Sequence, residues 1–217
     1  MDSPFWIYGI GFVAQVFYTG RILIQWYLSE KHKTVESPDM FWIFSIIGSA
    51  LMFLYGYLRN DFAIIIGELF TYYIYMWNIR EKGLFDKVHR ATPYLLSLIP
   101  VIVVIALLRD VPHFSENFLR SEAVPPALLV FGTAGQIIFK SRFIYQWIYS
   151  VRHNESLLPL PFWVIAVIGS LMIIIYGAIR HDWILILGQI GIVPSIRNIM
   201  IALKYDIQKK GHVEKND

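Results

Sequence analysis

Residues 20–29 read GRILIQWYLS, and residues 141–150 read SRFIYQWIYS. Both stretches are apolar enough for a membrane, yet each contains an arginine, a glutamine four residues later and a tryptophan directly after it. An arginine at the centre of a membrane helix costs about 3 kcal/mol on insertion scales, so it is rare there by chance. The pattern therefore predicts two related membrane helices in which a polar group has a function.

The composition of the whole chain is that of a membrane protein. Of its 217 residues, 56% are hydrophobic and only 16% are charged, and a soluble domain of this size could not hide so much apolar surface. The chain has no cysteine, which excludes disulfides, thiolate metal sites and a cysteine nucleophile within it. The net charge of +3 lies mainly in short loops between apolar stretches, so topology explains it and we expect no nucleic-acid partner.

Seven apolar stretches approach the length of about 20 residues that a membrane-spanning helix needs. They cover approximately residues 5–28, 39–58, 62–79, 91–108, 124–149, 161–179 and 183–203. With the N-terminus outside, the inner segments contain eleven Lys and Arg residues and the outer loops contain four, namely Arg59, Arg109, Arg120 and Arg180. The positive-inside rule therefore predicts an external N-terminus and a cytoplasmic C-terminus.

The sequence repeats itself at an offset of 121 residues. At this offset the first stretch aligns with the second without a gap. The alignment then continues through a proline and through the Phe-Trp, Gly-Ser and Tyr-Gly pairs that follow. The matched pairs include Gln15 and Gln136, Arg21 and Arg142, Gln25 and Gln146, Trp26 and Trp147, Ser29 and Ser150, Pro38 and Pro159, Gly48 and Gly169, Ser49 and Ser170.

The repeat predicts an all-α integral membrane fold with seven transmembrane helices in a 3+1+3 order. Residues 5–80 form the first three-helix repeat, 91–108 a linker helix, 124–203 the second repeat and 204–217 a cytoplasmic tail. Four crossings separate the starts of the two repeats, so both have the same orientation in the membrane. Parallel repeats of this kind are the arrangement of SWEET sugar transporters.

The candidate binding residues lie on polar stripes and near helix ends within these spans. Arginine binds phosphate as a planar, permanently charged fork, and glutamine can bond sugar hydroxyls. Arg21 and Arg142 could alternatively extend to lipid phosphates as anchors. The predicted substrate-binding set is Gln15, Arg21, Gln25, Trp26, Glu68, Asn78, Gln136, Arg142, Gln146, Trp147, Gln189, Arg197 and Asn198.

Three of these predictions have structural alternatives. Glu68 is an acid within a span, where it could pair with Arg21 and carry a coupling proton or make only a packing hydrogen bond; the second repeat has Gln189 there. Pro194 is predicted to interrupt the seventh span one turn before Asn198, and such a break can line a transport site or be only a kink. Arg197 would contribute to a shared anionic site.

These residues, R-x3-QW-x2-S followed by P-x2-FW, G-S, Y-G, R-x-D and a terminal RN, resemble the family named for the N-terminal region of lipid-A-disaccharide synthase. The resemblance covers nearly all of both repeats and leaves out the linker helix. The first repeat departs from the pattern at Glu68 and at Trp77-Asn78, where the second has Arg197-Asn198. The family also looks related to the PQ-loop and SWEET group of three-helix repeats.

The resemblance implies a role in making lipid A or another envelope glycolipid at the bacterial inner membrane. One hypothesis is a carrier or flippase-like protein that binds a lipid-linked phosphosugar, such as a lipid A precursor, in a cavity between the two repeats. The alternative is a non-catalytic membrane module that assists a separate glycosyltransferase. Neither a catalytic constellation nor the glycosyltransferase domain of the family name is found, so we expect no enzymatic activity, no cofactor and no metal.

Overall fold

The computed structural model describes residues 5–58, 62–108, 125–179, 181, 186 and 188–213, and within them the chain is helical without a strand. The predicted external arginines Arg59, Arg109, Arg120 and Arg180 lie outside the described residues. The α-helices bounded within these described residues are α1 (Phe5–His32), α2 (Asp39–Leu58), α3 (Phe62–Glu81), α4 (Thr92–Leu108), α5 (Pro126–His153), α6 (Leu160–Ile179) and α7 (Ile192–Val213), with a short 3₁₀ helix at Phe85–Lys87.

Helices α1 to α6 follow the predicted segments closely, whereas the seventh does not. The prediction of one helix over residues 183–203 is wrong for residues 188–191, which form a turn, and α7 begins at Ile192. Two glycines, Gly188 and Gly191, make this turn cheaper than a helix, and Pro194 then lies in the first turn, where its missing N–H costs nothing. Pro194 therefore starts α7 instead of kinking it.

Three helices, α1, α2 and α6, are long and apolar enough to cross a membrane by length and composition. Helix α4 is apolar but shorter, with its apolar part at Thr92–Ala106. Helix α7 continues to Val213, into the predicted tail, and its end is polar. A membrane association of this helical protein therefore agrees with its sequence and its helices.

The Cα positions divide the chain into two compact units. The first comprises Met1–Arg21 and Asp39–Val124, and the second comprises Ile22–Pro38 and Pro125–Asp217. In the first unit, α1 approaches α2 closely, because a Cβ on Gly48 would lie 2.8 Å from the Tyr18 ring and one on Gly11 would lie 2.9 Å from the Tyr55 ring. Small residues permit such close helix contacts in the absence of large side chains.

Helix α4 is fixed within the first unit by tyrosines of α3. Pro100 is inside α4 and cannot donate a hydrogen bond to the carbonyl of Leu96 four residues earlier. The buried Tyr72 supplies that bond, because its hydroxyl donates to the Leu96 carbonyl at 3.0 Å. Tyr73 donates to the Ser97 carbonyl at 3.1 Å in the same way. The linker helix therefore packs against the first repeat through the groups that its proline leaves unsatisfied.

The second unit repeats the close helix contact of the first. A Cβ on Gly169 of α6 would lie 2.6 Å from the Cα of Phe139 on α5, and one on Gly132 would lie 2.5 Å from the Tyr176 ring. Gly169 and Gly132 stand at the positions of Gly48 and Gly11 in the repeat. The glycines that the repeat matches are therefore the points where the first two helices of each copy touch.

Helix ends are also matched between the copies. The residues that follow α1 and α5, Lys33 and Asn154, both have left-handed backbones, with φ of 58° and 50°. After α5, the N–H of Glu155 reaches back to the Ser150 carbonyl at 3.2 Å, which satisfies a carbonyl of the last turn. In both copies a loop then leads to the matched prolines, Pro38 and Pro159.

The contact at Gly169 gives a test of the fold. Gly169→Ala places a methyl group against the backbone of Phe139, which cannot move aside as a side-chain tip can, so we expect a loss of about 1–3 kcal/mol in the free energy of unfolding. Reversible unfolding of the detergent-solubilised protein measures it. The control is Gly9→Ala in α1, where a Cβ would meet nothing within 4 Å; equal stability of both variants contradicts the close packing.

Candidate functional site

Arg21 lies inside the first unit, with only 5% of its surface exposed. Its Nη1 donates to the Ser45 hydroxyl of α2 at 2.7 Å. Its guanidinium carbon is 4.5 Å from the centre of the Tyr18 ring, 5.3 Å from that of Phe41 and 5.5 Å from that of Tyr75. Aromatic faces stabilise a desolvated guanidinium. The side chain therefore points into the protein, which does not agree with an anchor that extends to lipid headgroups.

Arg142 is buried to the same extent in the second unit, at 6% exposure. Its guanidinium carbon lies 3.8 Å from the centre of the Phe139 ring, 4.9 Å from Phe143 and 5.2 Å from Phe162. Phe139 and Phe162 stand at the repeat positions of Tyr18 and Phe41. Each copy therefore encloses its arginine in an aromatic box of rings from its first and second helices, to which the first copy adds Tyr75 of α3.

Gln25 and Gln146 fix the loops that follow α1 and α5. Gln25 Nε2 donates to the Ser29 hydroxyl at 2.8 Å and to the Glu36 carbonyl at 3.2 Å, and the Glu36 N–H donates to Ser29 at 3.0 Å. In the second copy, Gln146 donates to Ser150 at 2.9 Å and to the Leu157 carbonyl at 3.0 Å. The Q-x3-S part of the motif therefore joins the end of a helix to the loop that follows it by hydrogen bonds.

Gln25 also forms a reciprocal amide pair with Asn198 on α7. Gln25 Nε2 donates to Asn198 Oδ1, and Asn198 Nδ2 donates to Gln25 Oε1, both at 2.9 Å, and both residues are fully buried. Asn198 donates further to the Pro194 carbonyl at 2.8 Å. Asn78, its counterpart, makes the matching bond to the Ile74 carbonyl, also at 2.8 Å. The amide hydrogens of Gln25 are thus used within the protein.

Glu68 accepts two short hydrogen bonds inside the first unit. The Tyr18 and Ser49 hydroxyls both donate to its Oε2, each at 2.6 Å, and Glu68 is only 5% exposed. Tyr18 therefore touches both charged groups of this buried cluster, Glu68 through its hydroxyl and Arg21 through its ring.

Gln189 reproduces one of these bonds in the second unit. The Ser170 hydroxyl donates to Gln189 Oε1 at 3.0 Å, as Ser49 does to Glu68. Phe139 replaces Tyr18 and has no hydroxyl for a second bond. The acid and the tyrosine of the first copy are thus replaced together by an amide and a phenylalanine.

Arg197 pairs with an acid that the sequence prediction did not include. Its Nη2 donates to Glu30 Oε2 at 3.0 Å, and its Nε donates to Glu30 Oε1. Lys33 also donates to Glu30, at 3.2 Å. These groups are partly exposed at the end of α1, so they form a surface ion-pair network. The predicted anionic site at Arg197 is therefore occupied by a carboxylate of the protein.

Four predicted residues lie outside the buried clusters or at their edge. Gln15, Gln136 and Trp147 are exposed, and Trp26 is half-buried with no acceptor for its indole N–H among the described residues. The predicted stripe failed at Gln15 for a geometric reason. Gln15 and Arg21 are separated by two steps of three residues. On a helix of 3.6 residues per turn, their side chains therefore point in directions roughly 120° apart around the helix axis.

The buried partners Tyr18, Ser45 and Ser49 were not in the predicted set. The repeat contained a signal for two of them. Ser49 recurs as Ser170 in the second copy. Tyr18 and Glu68 occur together in the first copy, and Phe139 and Gln189 replace both of them in the second. Ser45 corresponds to Ala166, so no repeat signal indicated it. Glu30 corresponds to Val151, and it too lacked a signal.

The clusters offer permanent cations, hydroxyls, amides and one buried carboxylate. Such groups can bind an anion and hydrogen-bond a polar headgroup. In the part of the chain that the structure describes, no group of three His, Asp or Glu side chains could hold a metal ion.

Known proteins with related sequences carry a lipid A name. The chain is 33% identical to a lipid-A-disaccharide synthase of Chlamydia pneumoniae over 203 residues, which are 91% of this chain and 34% of that protein. Similar synthases of Chlamydia caviae and Chlamydia felis are 31% and 28% identical, over 95% and 91% of this chain and 34% and 33% of theirs. The chain spans about a third of these curated relatives. No solved structure matches it.

The described residues are helical, and the sequence contains two copies of one polar helix motif. The model of one protein family matches the chain in two segments. The family is described as Lipid A Biosynthesis N-terminal domain, and it matches residues 10–80 and 131–200. The chain belongs to this family. The two matched segments coincide with the two sequence repeats, which confirms the resemblance that the motifs indicated.

The reciprocal amide pair can be tested by a double-mutant cycle. Gln25→Leu or Asn198→Leu leaves the partner amide buried without its bonds, so we expect each to lower the free energy of unfolding by about 1–3 kcal/mol. The double variant should lose less than the sum of both, because the second change removes an already orphaned group. Reversible unfolding in detergent measures this, with the exposed Gln136→Leu as control; additive losses contradict the pairing.

Proposed function

We propose that the chain is a membrane-embedded protein of lipid A or related envelope glycolipid biosynthesis that binds the phosphate of a lipid-linked sugar. The observation that carries the proposal is the burial of Arg21 and Arg142 at equivalent positions of apolar helices. A buried arginine is costly, and two copies retain it although most apolar positions around it have changed. The family to which the chain belongs supports the lipid A context.

The guanidinium geometry suits a phosphate ligand. Arginine is permanently charged, and its planar fork donates two parallel hydrogen bonds to phosphate oxygens. In each unit the surrounding rings exclude water, and in such surroundings electrostatic attraction is stronger. Ser45 beside Arg21 and the aromatic box around Arg142 keep each fork in one orientation. Preorganised donors of this kind lower the ordering cost of binding.

We further propose that the seven helices cross the bacterial inner membrane as two parallel three-helix repeats with α4 as linker, the SWEET-like order. The matched hydrogen bonds of Gln25 and Gln146, and of Ser49 and Ser170, support the same internal fold in the two copies. The N-terminus would be external and the C-terminus cytoplasmic. The partners are then the lipid bilayer and the lipid-linked sugar.

In this proposal the protein is a carrier that moves the sugar headgroup across the membrane. The second candidate is a non-catalytic module that presents the lipid to a glycosyltransferase. The second candidate is favoured by the relatives, because proteins named lipid-A-disaccharide synthase contain the matching segment within a chain about three times as long.

A liposome experiment separates these functions and tests the arginines. The purified protein is reconstituted with a fluorescent polyprenyl phosphosugar, and binding and headgroup movement are measured. A carrier binds and moves the lipid, whereas a presenting module binds it without movement. Arg21→Lys and Arg142→Lys keep the charge but lose the fork, so we expect each to weaken binding by about tenfold or more.

The control is Arg80→Lys, because Arg80 is exposed in the last turn of α3. It should bind the lipid as the wild type does. Unchanged binding by both buried-arginine variants, in protein that is folded normally, overturns the phosphate role.

The proposed topology can be tested by cysteine labelling, since the chain has no cysteine of its own. We introduce Asp86→Cys in the exposed segment after α3 and, separately, Glu116→Cys in the segment between α4 and α5. An impermeant thiol reagent added to intact cells should label the second variant and not the first, because residue 86 is expected in the cytoplasm. Labelling of both, or of the first alone, contradicts the seven-span topology.

A further inference from the structure

The two units differ in one buried pair of side chains that would respond to a ligand's charge. The first unit has Tyr18 and Glu68, and the second has Phe139 and Gln189 at the same repeat positions. The hydroxyl donors that remain, Ser49 and Ser170, bond to Glu68 and Gln189 in the same way. At these two positions the first unit therefore has a carboxylate and a tyrosine hydroxyl that donates to it, and the second unit has neither.

The ionisable groups around Glu68 come from two helices. On α1 they are Tyr18, which donates to Glu68, and Arg21, whose guanidinium lies over the Tyr18 ring. On α3 the group is Tyr75, whose ring is 5.5 Å from the Arg21 guanidinium carbon. Helix α2 contributes the hydroxyls of Ser45 and Ser49, which do not ionise near neutral pH.

The other ionisable groups of the first unit face elsewhere. Tyr72 and Tyr73 donate to carbonyls of α4, and Tyr94, the ionisable residue of α4, is 73% exposed. Tyr55 of α2 packs its ring against Gly11, and Asp39 pairs with Lys82 at the end of the helix. Among the described residues that contact this cluster, the charged groups are therefore Arg21 and Glu68 itself.

The charges of this cluster balance in the absence of a ligand. Arg21 contributes one positive charge and the Glu68 carboxylate one negative charge, within surroundings from which water is largely excluded. A phosphodiester bound at Arg21 would add a second negative charge. Two anions that share one cation in a medium of low dielectric are unfavourable, and the usual relief is protonation of one of them.

We infer that binding of a lipid-linked phosphate at Arg21 is coupled to uptake of one proton by Glu68, an inference that rests on the proposed function. A proton from solution joins a carboxylate oxygen, and the Tyr18 and Ser49 hydroxyls can turn to accept from the resulting O–H, since a hydroxyl both donates and accepts. The phosphate then supplies the negative charge that balances Arg21, and Glu68 becomes neutral. The second unit, with Gln189, has no such proton site at the matching position.

The repeat supplies the matched variant. Tyr18→Phe combined with Glu68→Gln gives the first unit the pair that the second unit already contains, so a helix packing of this kind accepts it. Glu68→Gln alone is the second variant. Ser170→Ala is the control, because it changes the matching hydrogen bond in the second unit and leaves the carboxylate intact.

Isothermal titration calorimetry of the full chain in detergent measures the proton count. The probe is short-chain polyprenyl phosphoglucose, a phosphodiester without a proton to exchange near neutral pH. Titrations in two buffers of different ionisation enthalpy give the number of protons taken up on binding. The wild type should take up about one proton more per protein than the double variant, and its Kd should fall by up to about tenfold per unit decrease in pH.

The outcomes separate this inference from the proposed function. Wild-type binding without proton uptake, or uptake that persists in the double variant, overturns the coupling and leaves phosphate binding standing. Absence of binding by the wild type overturns both. If the Glu68 variants do not fold, the pH dependence of wild-type binding tests the coupling. A Kd that decreases as the pH is lowered supports it. A Kd that is constant between acidic and neutral pH overturns it.

Discussion

Polar side chains on apolar helices have to find their hydrogen-bond partners inside the protein, and the described structure is organised by this requirement. A polar group that is buried without a partner costs more than the bond itself contributes. Gln25 meets the requirement through a loop carbonyl, a serine and Asn198. The Leu96 carbonyl, which Pro100 leaves without a donor, meets it through Tyr72. These bonds fix where the helices end and which faces of them touch.

The same requirement explains how the two copies have diverged. A carboxylate has more lone pairs to satisfy than an amide oxygen, and the copy with Glu68 has a second hydroxyl donor, Tyr18, that the copy with Gln189 lacks. Acid and donor have changed together, because either change alone would leave a buried group unsatisfied. The arginines have not changed. The first copy thus has a cation and an acid, and the second has a cation among phenylalanines.

Most of the helices could be predicted from apolar length alone, and the failures have local causes. The start of α7 was misplaced because the run from 183 to 203 is predominantly apolar, whereas Gly188 and Gly191 favour a turn that hydropathy does not indicate. Gln15 and Gln136 were assigned to the polar stripe from sequence spacing, and the accumulated rotation turns them to the exposed side. Arg21, Arg142, Glu68 and both asparagines are buried in the structure, and their role in substrate binding stays a prediction.

The sequence by itself determined the helical class, the two copies and the positions that match between them, because period, length and composition are local properties of a chain. Only the tertiary structure decided what each polar residue bonds. Gln25 and Asn198 are 173 residues apart, Glu30 and Arg197 are 167 apart, and no pattern in the chain links either pair. Glu68 and Gln189 occupy equivalent positions in the repeat. Tyr18, however, is a partner of Glu68 because Gly48 lets α1 and α2 approach closely. Such contacts depend on how helices pack, which is a property of the folded chain.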